Sequence, residues 1–303
     1  MTGRAGFCGG VMGIQTVAIL GPGLLGGSLA LELSGRGGIS VRLWGRRQAA
    51  LDQAVAMGFA GLATTDLASA ASGCDLVVLA TPVGVMRDLA ERLAVLPSPP
   101  RLVTDMGSVK AMVEEEVAPV LRRAGIAFVG SHPMCGSERK GMEAAQLGLF
   151  SGAACILVPG AESAPGAVET VETFWSALNC RLSRMEAHTH DEAVARISHL
   201  PHAIAALLAR VATREDVSVL DLAAGGFRDT TRVALGPPDM WREILLENRR
   251  AMLPLLRSFS TTLDSLVQAL ESGDGATIES MLEAGRRARA LLATDPPAAP
   301  PLS

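Results

Sequence analysis

The sequence predicts an α/β chain, a doubly wound parallel sheet followed by an all-helical second part. From Gln15 to about residue 160, short continuous apolar runs alternate with amphipathic stretches. From about Pro165 to Ala293 almost nothing has strand character, and long Ala/Leu/Glu/Arg segments take over. Unbroken apolar runs suit strands buried on both faces, as in a parallel sheet with helices on each side.

The strand-like runs are TVAILG (16–21), VRLWG (41–45), DLVVLATP (75–82), RLVTDMG (101–107), IAFVGSHP (126–133) and CILVPG (155–160). Segments 86–96 and 109–124 have helical amphipathicity between them. The later helical segments are 165–179, 189–213, 216–223, 239–270 and 275–293. The expected organisation is a flexible leader (1–13, with Met12 an alternative start), a sheet domain (14–162), a helical domain (163–293) and a disordered Pro-rich tail (294–303).

Composition narrows the function. With 303 residues and 49% hydrophobic content the chain can bury two cores. A net charge of −4 without a terminal basic run argues against nucleic acid or an anionic membrane as partner. No stretch approaches the roughly 20 apolar residues of a membrane helix. The five cysteines are scattered and never form a Cys-x-x-Cys pair, which suits reduced thiols and a cytoplasmic location.

VAILGPGLLGGSLA places Gly21, Gly23 and Gly26 in a G-x-G-x-x-G between the first strand and a helix. That context makes it the phosphate-binding turn of a Rossmann domain. Gly21 allows the turn, Gly23 lets the backbone approach a pyrophosphate, and Gly26 lets helix and strand pack. Leu24 and Leu25 in this loop, with Thr81 and Pro82 after the third run and Ser108 after the fourth, add to the expected cofactor contacts. The second run ends WGRRQAA, so Arg46 and Arg47 stand where an NAD site usually carries Asp or Glu. Two guanidiniums suit a 2′-phosphate, which favours NADP over NAD.

The stretches ATPV (80–83), DMGSVK (105–110) and GSHPMCGSE (130–138) follow successive strands, where such folds gather ligand contacts. His132 therefore lies on the reactive side of the sheet. An enzyme that removes hydride from an alcohol carbon must also take the hydroxyl proton, and neutral histidine suits that task. Ser108 could orient that proton, or it could cap a helix beginning near Val109. Four of the five histidines lie in HTHDEAVARISHLPH (188–202), with no Cys or paired carboxylate to complete a metal set, so no metal is expected. His199 and His202, three apart, either line a pocket or are satisfied at a helix interface. In AGGFRDTTRVALGPPDMW (224–241), Arg228 or Arg232 could meet a substrate carboxylate, with a salt bridge to Asp229 or Asp239 the alternative for Arg228.

Taken together, GPGLLGGSLA, ATPV, DMGSVK, FVGSHPMCGSERKGMEAA, HDEAVARISHLPH and GGFRDTTRVA…MW resemble the prephenate and arogenate dehydrogenase family of tyrosine biosynthesis, from about Gln15 to Ala290. The resemblance implies that His132, with Ser108 beside it, accepts the proton of the substrate's ring 4-hydroxyl. It implies that Arg232 anchors a substrate carboxylate and that His199, Gly225, Asp229 and Trp241 shape the pocket, with Glu138 near the substrate side chain. It also implies oxidative decarboxylation of prephenate, or of arogenate, and a homodimer built through the helical domain. A non-catalytic NAD(P)-binding redox sensor would keep the glycine loop without needing His132, Ser108 and Arg232. Two positions depart from the family: Cys135, where a small residue is common, and Pro237, where an acidic residue usually precedes the first proline.

Overall fold

The computed structural model describes residues 13–136 and 139–293. Residues 1–12 of the expected leader, Met12 included, Glu138, and the expected tail lie outside the described residues. The chain forms two compact units, one reaching to Asn248 and one beginning at Arg249.

The first unit is organised by an eight-stranded sheet in the order β3-β2-β1-β4-β5-β6-β7-β8. Its strands are β1 (Thr16–Leu20), β2 (Ser40–Trp44), β3 (Leu62–Thr64), β4 (Leu76–Leu79), β5 (Leu102–Asp105), β6 (Ala127–Met134), β7 (Ala154–Val158) and β8 (Arg181–Arg184). The first six run parallel, linked by helices that include α1 (Leu24–Ser34), α2 (Gln48–Ala56), α3 (Leu67–Ala71), α4 (Met86–Ala94) and α5 (Ala118–Arg123). Strand side chains alternate between faces, and both faces are covered. Val17, Ile19, Leu76 and Val78 enter one apolar cluster, whereas Ala18, Leu20, Val77 and Leu79 enter the other. This explains why the strands appear in the sequence as unbroken apolar runs.

Two features depart from the expected sheet. Strand β7 is antiparallel to β6, with His132 opposite Ile156. Among its described residues the link between them contains no crossover helix, only a short 3₁₀ turn at Met142–Ala144, and the chain folds back along β6. The sheet also continues past the boundary expected at residue 162. Helix α6 (Pro165–Ser176) carries the chain across to β8, which lies parallel to β7. RLSR has only one apolar residue at a sheet edge, and β3 has three residues, so neither strand left an apolar run in the sequence.

Beyond β8, a nearly continuous helix is built from α7 (Ala187–Val194), a π-helical turn (Ala195–His199) and α8 (Leu200–Ala212). A 3₁₀ turn at Val217–Leu222, α9 (Gly225–Thr231) and α10 (Pro238–Glu247) complete the first unit. The second unit contains the hairpin of α11 (Arg249–Ser272) and α12 (Gly275–Ala290). Among the described residues no helix is long and apolar enough to cross a membrane.

A buried polar network locks β5 to β6. The Asp105 carboxylate pairs with the Lys110 ammonium and accepts from the N–H groups of Gly107 at 2.8 Å and Ser131 at 3.1 Å. Trp175 of α6 donates its indole N–H to the Ser131 hydroxyl at 3.0 Å. Removing one charge of a buried pair leaves the other uncompensated. Asp105→Asn is therefore expected to lower the unfolding free energy by about 3–5 kcal/mol in urea titrations; a loss below about 1 kcal/mol would show that the pair does not hold this corner together.

Candidate active site

The sheet order reverses between β1 and β4, and the glycine turn sits at that switch point. Gly21 has φ +122°, and a Cβ on it would lie 2.5 Å from the Ala80 carbonyl oxygen. A Cβ on Gly26 would lie 2.0 Å from the Gly21 carbonyl oxygen. By contrast, a Cβ on Gly23 would meet nothing within 4 Å. Two glycines are thus imposed by packing, whereas Gly23 borders open space. No side chain caps the N-terminus of α1, so its N–H groups and positive dipole end suit a pyrophosphate. The turn fits a dinucleotide.

A cavity of about 360 Å³ adjoins this turn and is lined by Gly23, Leu24, Leu25, Thr81, Pro82 and Ser108, among others. These are six of the residues expected to hold the cofactor; Gly21 and Gly26 shape the turn from below. Thr81 Oγ1 is buried without a hydrogen-bond partner among the described residues. Glu243 of α10 also lines the cavity and accepts from the Gly84 N–H, tying α10 to the loop after β4. Arg46 and Arg47 lie outside this cavity, exposed after β2, and neither guanidinium forms an ion pair among the described residues.

A second cavity, of about 330 Å³, shares Ser108, Cys135, Gly136, Met240 and Ile244 with the first. His132, His199, Arg232 and Trp241 also line it. Five of the expected catalytic and substrate residues, Ser108 included, are therefore brought together. Gly225 and Asp229 are not; both are exposed on α9 and neither lines the cavity. Glu138 lies outside the described residues. Arg228 forms no salt bridge with Asp229 or Asp239 and donates instead to the Ala223 carbonyl at 3.1 Å.

Ser108 is not the helix cap. The helix after it begins at Ala111, and its first N–H groups are capped from another part of the chain: Asp191 accepts from Lys110 N at 2.7 Å and from Ala111 N at 2.9 Å. The Ser108 hydroxyl has no hydrogen bond among the described residues and is available at the junction of the two cavities.

Behind His132 lies a set of partners that sequence reasoning did not assign to the site. His132 Nδ1 is 2.9 Å from His190 Nε2, and His190 Nδ1 is 2.8 Å from Asp191 Oδ1. Asn248 Nδ2 donates to the Asp191 carbonyl at 2.8 Å and meets His199 Nδ1 at 3.0 Å. The amide hydrogens on Asn248 make His199 Nδ1 an acceptor and leave its proton on Nε2. Nine residues at 3.6 per turn would put His190 and His199 on opposite faces of a regular helix. The π turn at Ala195–His199 winds less per residue, and His199 lines the cavity while His190 lies against His132.

Of the two alternatives the sequence left for His202, a pocket wall or a helix interface, the structure places it in the cavity lining. Its ring stacks on Trp241 at a centroid distance of 3.5 Å and an interplanar angle of 9°. Gly236 permits the stack, since a Cβ there would lie 2.5 Å from Trp241 Nε1. The Pro237–Pro238 step that departs from the family starts α10 and leaves Trp241 in the cavity wall.

Burial sets the protonation states. It holds His132 well below the usual histidine range, with His190, Lys110 and His199 adding to the effect. His199 is lowered to about 4, mainly by burial, and His190 and His202 are also lowered by burial. Burial raises the Cys135 thiol to about 12, so it is an uncharged wall group. Among the described residues no group of three His, Cys, Asp or Glu side chains is arranged to hold a metal ion. His190 spends both ring nitrogens on His132 and Asp191.

A nucleotide-binding turn beside a cavity with a neutral, buried histidine defines a nicotinamide-dependent dehydrogenase. The comparisons give the family. The model of the prephenate dehydrogenase nucleotide-binding domain matches residues 29–184, and that of the prephenate dehydrogenase dimerization domain matches residues 186–284. The chain is 34% identical over 284 residues to the cyclohexadienyl dehydrogenase of Zymomonas mobilis, covering 92% of this chain and 96% of that protein. It is similar to the crystal structure of A. aeolicus prephenate dehydrogenase in complex with hydroxyphenyl propionate and NAD+, with a TM-score of 0.79, 27% identity and coverage of 92% and 98% of the two chains. It is also similar to Synechocystis arogenate dehydrogenase, with a TM-score of 0.75, 28% identity and coverage of 91% and 99%. The chain belongs to the prephenate dehydrogenase family.

Two predictions follow from this geometry. Gly23→Ala is expected to leave the melting temperature within about 2 °C of wild type while weakening dinucleotide binding roughly tenfold or more by calorimetry; unchanged affinity would remove the turn from the cofactor site. The second concerns pH. The unfolded chain binds protons on these histidines near pH 6.5, whereas the folded chain holds them neutral to lower pH. Their contribution to stability is thus complete above about pH 6.5 and lost as pH falls toward the folded values, by up to about 1.4 kcal/mol per pH unit for each histidine. Urea unfolding at pH 7 and pH 5 should show the protein less stable at pH 5; equal stability would mean that these rings charge in the folded state.

Proposed function

We propose that the protein is a prephenate dehydrogenase of L-tyrosine biosynthesis. It oxidatively decarboxylates prephenate to 4-hydroxyphenylpyruvate, with NADP favoured over NAD as hydride acceptor. The observation that carries this reading is that a buried His132, held neutral, lines one cavity together with Ser108 and a cationic side chain, Arg232. The family membership supports the same chemistry.

The bound nicotinamide supplies one thing, an acceptor for the hydride leaving the ring 4-carbon. Everything else falls to the chain. Gly21, Gly23 and Gly26 with Leu24, Leu25, Thr81 and Pro82 hold the cofactor. His132 takes the 4-hydroxyl proton, and Ser108 orients that hydroxyl. Arg232 binds a substrate carboxylate, and His199, His202 and Trp241 wall the ring's cavity. Once oxidised, the ring is a dienone vinylogous to a β-keto acid, so its carboxylate departs as CO₂ and aromatisation drives the step. The protein's share is orientation and charge placement.

NADP is favoured because Arg46 and Arg47 follow β2 without ion-pair partners among the described residues, and the nearby Asp66 caps α3 through the Ser69 N–H at 2.8 Å. Arogenate is the second reading, favoured by the likeness to the Synechocystis arogenate dehydrogenase. A homodimer is supported by the matched dimerization domain and by exposed apolar residues in the helical part, among them Leu207, Val211, Val217, Val219 and Leu222.

Steady-state assays with prephenate or arogenate, each with NAD⁺ or NADP⁺, test the reading. Prephenate with NADP⁺ should give the highest kcat/KM, and an Arg46→Ala/Arg47→Ala double variant should lose roughly tenfold or more for NADP⁺ alone. A clear preference for arogenate or for NAD⁺ would overturn that part of the assignment. His132→Asn should lower kcat roughly 100- to 10,000-fold while dinucleotide binding persists. Turnover that survives this change would remove His132 from the chemistry, and a wild-type protein that binds NADP⁺ but oxidises neither substrate would favour the redox-sensor reading.

A further inference from the structure

The geometry points to a proton relay behind the cavity: His190 and Asp191 are positioning residues that set the tautomer of His132 and then draw positive charge one ring away from the substrate. This inference rests on the reading of His132 as proton acceptor.

The hydrogen-bond partners give the relay a direction. Asp191 is an acceptor for two backbone N–H groups, Lys110 N at 2.7 Å and Ala111 N at 2.9 Å. Its Oδ1, 2.8 Å from His190 Nδ1, therefore places the His190 proton on Nδ1. His190 Nε2 is then a lone pair, and at 2.9 Å it must receive a hydrogen from His132 Nδ1. A neutral His132 with its proton on Nδ1 has a bare Nε2, the nitrogen able to take a proton from a ligand in the cavity. Were Asp191 absent, His190 could equally carry its proton on Nε2. His132 would then present an N–H to the substrate and could not act as base.

The same contacts say where the charge goes. His132 is buried, and among the described residues no carboxylate is within hydrogen-bond reach of it. The groups facing it are cationic or basic: Lys110 after β5, His190 of α7 and His199 of the π turn. An imidazolium is poorly placed there. His190, by contrast, touches the Asp191 carboxylate and feels Asp105 of β5 as well as Lys110. The balanced step is a double transfer. The substrate O–H bond breaks as a bond to His132 Nε2 forms, and the His132 Nδ1–H bond breaks as a bond to His190 Nε2 forms. His132 ends neutral with its proton on Nε2, and His190 ends as an imidazolium against Asp191. The hydride leaves the ring carbon with its electron pair for the oxidised nicotinamide. After product release the proton returns along the same path to solvent.

Neither residue lines either cavity, so a change at His190 acts on the substrate only through His132. The experiment compares wild type, His190→Gln and His132→Asn in the holoenzyme, using the substrate and cofactor pairing that turns over. The glutamine amide oxygen can accept from His132 Nδ1–H but cannot take its proton. His190→Gln should lower the kcat plateau roughly 10- to 1,000-fold with KM within about twofold. It should also move the acid limb of kcat/KM to lower pH, because the base left behind has no carboxylate in contact. A proton inventory in H₂O/D₂O mixtures should change from curved in wild type to linear in the variant. A wild-type plateau, or a lower plateau whose acid limb and inventory do not change, would overturn the relay and leave His190 a packing residue. Asp191→Asn makes the same comparison should His190→Gln not fold. Survival of turnover in His132→Asn would instead overturn the reading of His132 itself, which keeps the two claims separate.

Discussion

A histidine serves as a base in a dry cavity only if it is uncharged and points a bare nitrogen at its ligand, and much of this structure answers to that requirement. His132 sits on β6, in the interior of the sheet, where desolvation removes its charge. Burial alone leaves the tautomer open. The hydrogen-bond chain through His190 to Asp191 settles it, and Asp191 is held in turn by the first N–H groups of the helix that follows β5 and, at its carbonyl, by Asn248. Asp191 thus joins the start of the helix after β5 and α7 through its carboxylate, and the end of α10 through its main-chain carbonyl. The buried Lys110–Asp105 pair secures the same loop to β6. The Lys110 ammonium also acts on His132 and further favours the neutral ring.

The two parts of the first unit meet at this point. The sheet contributes the glycine turn, the loop after β4, Ser108 and His132, all at strand C-terminal ends, as an open α/β sheet requires. The helical segments contribute His199, His202, Arg232 and Trp241. Glu243 on α10 reaches the N–H of Gly84, which brings the helical side of the cavity against the cofactor loop. The π turn in the α7–α8 helix and the glycine at 236 are local departures from regular structure, and both serve this convergence. One turns a histidine inward, and the other makes room for the stacked His202 and Trp241. Such irregularities cluster where side chains must be aimed rather than merely buried.

Much of this was legible in the sequence where one physical demand dominates one stretch. Strands buried on both faces leave apolar runs, and a phosphate-binding turn needs its glycines at fixed spacing, so six strands and the cofactor turn could be located. What escaped depends on long-range partners. β8 has a single apolar residue and forms only because α6 returns the chain to the sheet edge. The reversal of β7 depends on a connection that could have carried a helix and does not. The Ser108 hydroxyl was a plausible cap, but Asp191, 81 residues from Lys110, does the capping. His190 and Asp191 are adjacent in a histidine-rich helix that invited a metal reading, and nothing local shows that one ring contacts β6. His202 was visible as the three-residue partner of His199, yet its stacking on Trp241 needed Gly236. Gly225 and Asp229 sit in the polar motif that also carries Arg232, but they are exposed and do not line the cavity it lines.

The account depends most directly on the resting state of one ring. Nitrogen-15 NMR of histidine-labelled protein, assigned with His132→Asn, reads the protonation and tautomer of His132 without substrate. At pH 7 the account predicts a neutral imidazole with its proton on Nδ1 and an unprotonated Nε2. An imidazolium at that pH, or a neutral ring protonated on Nε2, would contradict it.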